Sequence, residues 1–127
     1  MPLFGGGAEK AAQEAAAQAE FERLSTIPRP ELAAEVMGVF AAGQPGAKNP
    51  RQGLNILQVM MWLMASQPRG TSYLSQLEIP VREALQLLEN ASLVLKLDNR
   101  IAGAHLTATT LGQQALAEGT VAQYLPH

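Results

Sequence analysis

Residues 71–116, TSYLSQLEIPVREALQLLENASLVLKLDNRIAGAHLTATTLGQQAL, carry the order of signals that decides the fold. A short amphipathic segment with Tyr73, Leu74 and Leu77 runs into Glu78-Ile79-Pro80, where a proline predicts a turn. Beyond it Val81, Ala84, Leu85 and Leu88 recur at i, i+3, i+4 and i+7, the spacing that puts apolar side chains on one face of a helix. Two β-prone runs follow, 93–97 and 105–108, joined by a connector carrying Asp98, Asn99 and Gly103, and a threonine at 109 or 110 can cap a closing helix that ends near Gly119. The expected order is helix, tight turn, helix, hairpin, helix.

That order resembles the winged helix-turn-helix domains of small bacterial transcription regulators. Such domains often read Leu-Gly-Ile-Ser at the turn, Leu-Glu-x-x-Gly-Leu-Val after the second helix, and Leu-Thr-x-x-Gly-x-x-Ala-Leu after the wing. The corresponding stretches here are Leu77-Glu78-Ile79-Pro80, then Leu88-Glu89-Asn90-Ala91-Ser92-Leu93-Val94, then Ala108-Thr109-Thr110-Leu111-Gly112-Gln113-Gln114-Ala115-Leu116. Glu78 and Ser92 stand where the pattern has glycine; a position that needs positive φ would lose about 1 kcal/mol by this change. The resemblance implies a mainly α chain, with additional N-terminal helices and one two-stranded β-hairpin as the wing. It also implies a dimeric, double-stranded-DNA-binding regulator of transcription.

The rest of the chain is read around this unit. Residues 1–8, with glycines at 5–7, are expected to be a flexible N-terminus. Residues 9–49 should hold N-terminal helices that pack on the domain or dimerise it, and residues 50–127 the winged-helix domain. From Glu9 to Leu24 alanine, glutamine and glutamate favour helix, but large apolar residues come only at Phe21 and Leu24; this helix either packs lightly on its own domain or crosses to a second subunit. Pro28 and Pro30 break it. Leu32, Val36, Val39 and Phe40 then give a core-facing helix that Gly43 can close, and a loop covers 43–49. Asn49-Pro50 resembles a cap and first turn, opening a helix to about Ser66 whose apolar residues wrap around its axis. Such a helix needs covering on more than one side, by the N-terminal helices or by a second copy in a homodimer.

Composition narrows the chemistry. The 127 residues are 47% hydrophobic with a formal charge of −2, which suits one globular domain with a real core. There is no cysteine, so disulfides, thiolate zinc sites and cysteine nucleophiles are excluded. With no basic and apolar leader and no long apolar run, a cytoplasmic protein outside the membrane is expected. The two histidines, His105 and His127, do not suffice for a zinc site, the carboxylates have the spacings of solvated helix faces, and the glycines form no phosphate cradle. Neither an enzyme nor a cofactor is expected.

For DNA, Arg82, Gln86 and Asn90 recur at i, i+4 and i+8 opposite the apolar face. Arginine can pair bidentately with guanine, and glutamine or asparagine with adenine. Arg69, Lys96 and Arg100 are placed to hold phosphates. Residues 71–104 nevertheless sum to −1, with Glu83 and Glu89 beside the reading face. A winged-helix module that contacts a protein partner without binding DNA is therefore the alternative.

Overall fold

The computed structural model describes residues 2–97 and 105–126. It is mainly helical. In chain order the elements are α1 (Pro2–Thr26), α2 (Arg29–Met37), a 3-10 turn (Gly38–Phe40), α3 (Pro45–Lys48), α4 (Ile56–Leu63), a second 3-10 turn (Gly70–Tyr73), α5 (Leu74–Asn90), β1 (Val94–Leu97), β2 (His105–Ala108), α6 (Thr110–Glu118) and a last 3-10 turn (Val121–Tyr124).

The centre of the fold is α5. Leu77, Pro80, Val81, Ala84, Leu85 and Leu88 are all buried, so the apolar spacing read from the sequence is the core-facing stripe. It packs most extensively on α2, whose Leu32, Ala33, Val36 and Met37 are buried in turn, and then on α4. An ion pair between Arg29 and Glu83, 3.0 Å, ties the same two helices at the surface. The core extends from Ala17 and Leu24 of α1 to Leu125 near the C-terminus.

Three expectations are corrected. The turn at Glu78-Ile79-Pro80 is absent: α5 runs through it as one helix of 17 residues with Pro80 inside. Proline removes one backbone donor and crowds the preceding turn, but here its ring is buried among the core side chains, and the apolar stripe from Leu77 to Leu88 is continuous only if the helix is. The break between helices lies earlier, over 64–73. Second, the central apolar helix starts after Asn55, well beyond Asn49. The Asn55 side chain accepts from the Gln58 N–H at 2.9 Å while the Gln58 side chain accepts from the Asn55 N–H at 2.9 Å, a complete capping box. Gly53 forbids an earlier start: its φ is +72, and a Cβ there would meet the Leu106 carbonyl oxygen at 2.6 Å. This close approach lets Leu54 bridge Leu106, with reciprocal N–H to carbonyl bonds of 2.8 Å, fastening the entry of α4 to the hairpin. Third, α1 starts at Pro2, ahead of the start expected at Glu9, and includes the glycines at 5–7; proline suits the start of a helix, and the alanine-rich run behind it propagates well.

The hairpin is antiparallel, with Val94 opposite Ala108 and Leu97 opposite His105. The connector expected to hold Asp98, Asn99 and Gly103 lies outside the described residues. The end of α5 ties together the stretches on either side of the hairpin. Ser92 has φ +63, its N–H bonds the Glu89 carbonyl and the Leu93 N–H bonds the Leu88 carbonyl, each at 3.0 Å: a Schellman ending with serine where glycine is usual. Thr109 then clamps this turn. Its hydroxyl donates to the Ser92 carbonyl at 2.6 Å and accepts from the Gly112 N–H at 2.9 Å, capping α6, and its own N–H donates to the Leu93 carbonyl at 3.0 Å. Gly112 permits the approach, since a Cβ there would clash with the Leu93 carbonyl oxygen and sit 2.8 Å from the Met37 methyl. Among the described residues no helix is long and apolar enough to cross a membrane.

Candidate nucleic-acid interface

A groove of about 500 Å³ runs between the start of α4, the outer side of α5 and the hairpin, lined by Asn55, Ile56, Arg82, Leu85, Gln86, Glu89, Lys96 and Leu106. Each wall has a local cause. The capping box fixes Asn55, the helical repeat lifts Arg82, Gln86 and Glu89 away from the buried stripe, and strand pairing sets Lys96 opposite Leu106, both on the groove. Two cations and one carboxylate meet in it.

Three of the six residues read from the sequence as DNA contacts, Arg82, Gln86 and Lys96, therefore share one groove. Asn90 sits next to it: its side-chain oxygen accepts from the Gln86 amide at 2.9 Å, and its other side borders a shallow cleft with Leu87, Tyr124 and Pro126. Arg69 does not join them. It lines a separate cleft with Ala11, Glu14, Gln18 and Tyr73, where α1 crosses the 3-10 turn at Gly70–Tyr73 and Phe21 stacks on Tyr73 at 5.0 Å. Arg100 lies outside the described residues.

The acidic residues sort differently from their sequence spacing. Glu83 turns toward α2 and is neutralised by Arg29, so it does not face the groove. Glu78 pairs with Arg82 at 3.3 Å, one helical turn away, an exposed contact that a stronger ligand for the guanidinium can displace. Glu89 lines the groove itself. Sequence reading missed Asn55, although Asn55-x-x-Gln58 is the spacing of a capping box. It also missed the Arg29 to Glu83 pairing, since those residues are far apart in the chain.

Among the described residues Arg23 is the charged group with a clear shift: the Glu35 and Glu20 carboxylates, at 2.8 and 2.6 Å, hold its guanidinium further into the charged range. That cluster staples α1 to α2 and lies outside the groove lining. His105 is buried in β2 and is engaged in a contact there. Among the described residues no three His, Asp or Glu side chains gather as a metal site. Compared with models of known families, with characterised proteins and with solved structures, the chain matches none of them.

Proposed function

We propose that this chain is a winged helix-turn-helix protein that binds double-stranded DNA through the groove beside α5 and acts as a dimeric transcription regulator. The helix-turn-helix would be α4, the connection 64–73 and α5, the wing β1 and β2, and the closing helix α6, shifting the turn upstream of Glu78-Ile79-Pro80. The observation that carries this reading is the meeting of Arg82, Gln86 and Lys96 in one groove. Long polar side chains on a helix next to a cationic strand are the parts needed for base-edge and phosphate contacts. A groove with little net positive charge gives a weak half-site, so two half-sites held by a dimer would supply useful affinity.

Fluorescence anisotropy against pooled duplexes at low and physiological salt tests the reading. The wild type is expected to bind more tightly at low salt, and Lys96→Ala to weaken all sequences about equally while reducing the salt slope by about one unit. Absence of binding at low salt, where phosphate contacts are strongest, rejects it.

A second reading, a winged-helix module that docks a protein, is favoured by one observation. Leu57 and Met61 of α4 are each 49% exposed and Ile79 of α5 is 70% exposed, on two helices that pack against each other. Such residues are poor partners for phosphate and good ones for an apolar surface. Light scattering tests whether a second copy covers α4: a concentration-dependent dimer that Met61→Glu abolishes places it there.

A further inference from the structure

The outer side of α5 carries three carboxylates with different fates. Glu78 is held by Arg82 and Glu83 by Arg29. Glu89 is half-buried in the groove, makes no hydrogen bond or ion pair among the described residues, and lies with Arg82, Gln86 and Lys96 around the same opening. A free carboxylate in a phosphate-binding groove weakens attraction to every duplex alike, unless it is used for recognition.

We propose that Glu89 is a specificity-determining residue of the groove, accepting a hydrogen bond from the exocyclic amine of a cytosine in the major groove. This rests on the DNA-binding reading above and deepens it. A carboxylate only accepts. In the major groove guanine offers two acceptors and thymine an acceptor with a methyl group, and all three repel or exclude it; adenine sets its N7 acceptor beside its amine. Cytosine alone offers an amine without a neighbouring acceptor on the same base. Arg82, Gln86 and Glu89 stand at i, i+4 and i+7, spanning about 10 Å along the helix axis, near three base-pair steps of about 3.4 Å. The helix thus presents a donor fork, an amide and an acceptor in that order, suited to guanine, adenine and cytosine. Lys96, which lines the same groove, supplies a positive charge that offsets the carboxylate's repulsion of the backbone.

The test is competitive anisotropy with the full chain on duplex libraries randomised one position at a time, comparing wild type, Glu89→Ala and Glu89→Gln. The wild type should prefer C·G at one position by about tenfold or more. Glu89→Ala should erase that preference while binding pooled duplex more tightly and keeping the preference set by Arg82. Glu89→Gln, which adds a donor, should move the preference toward A·T. If Glu89→Ala raises affinity for all sequences equally with base preference intact, Glu89 only repels phosphate and the proposal is wrong. If it weakens all equally and lowers the melting temperature, its role is structural and the proposal is equally wrong. Absence of duplex binding by wild type and both variants at low salt removes the DNA reading and this inference together.

Discussion

The two longest helices are anchored in opposite ways. α5 has 17 residues, six of them buried, and its end is gripped by the Ser92 turn, Thr109 and Gly112. α1 has 25 residues, yet among those whose burial is described only Ala17 and Leu24 are buried, and residues 7–12 and 14–16 are exposed. Length and helix propensity are therefore poor guides to which element holds the fold. α5 has an interrupting proline and a continuous apolar stripe; α1 has strong propensity and almost no stripe. Burial, at about 25 cal/mol per Å² of apolar surface, outweighs propensity differences of a few tenths of a kcal/mol per residue.

The largest effect is expected at the end of α5. Gly112→Ala forces a methyl against the Leu93 carbonyl and Met37, and should cost about 3 kcal/mol in thermal or urea unfolding. A melting temperature within a degree or two of wild type would mean that the turn is not the tight anchor described. A smaller change of opposite sign tests the same turn: Ser92→Gly relieves a positive φ and should stabilise by about 1 kcal/mol. Destabilisation there would show that the serine side chain supplies something the backbone argument omits. The smallest effect is expected in α1. Ala12→Gly costs about 1 kcal/mol of local helix stability, visible as lost ellipticity, but should leave the cooperative melt unchanged in dilute solution because residues 7–12 are all exposed. A drop in the melting midpoint that grows with protein concentration would instead make α1 a contact between copies.

Much of this was legible in the residues. The spacing of Val81, Ala84, Leu85 and Leu88 marks the buried face of α5, Leu32, Val36, Val39 and Phe40 that of the segment it packs on, and the strand runs and the Thr109 cap fall where local chemistry puts them. Ser92 adopts a positive φ, the condition under which a serine in place of glycine carries a backbone cost. For the candidate site, helical periodicity placed Arg82 and Gln86 on one exposed side, but it could not bring Lys96 and Asn55 to them or separate Arg69 from them, because those relations cross between elements.

What the sequence by itself determined is the set of amphipathic faces, strand signals and caps, since these depend on residues within a turn or two of one another. Only the tertiary structure decided where helices break and which charges remain available. Pro80 stays inside α5 because the core on one side rewards an unbroken stripe, and α4 begins only after Asn55 because Gly53 must lie against the Leu106 carbonyl. Glu83 stays out of the groove because Arg29, 54 positions earlier, is its neighbour in space, and Glu89 lines the groove without an ion-pair partner among the described residues. Each of these choices rests on a contact between distant parts of the chain, which no local pattern encodes.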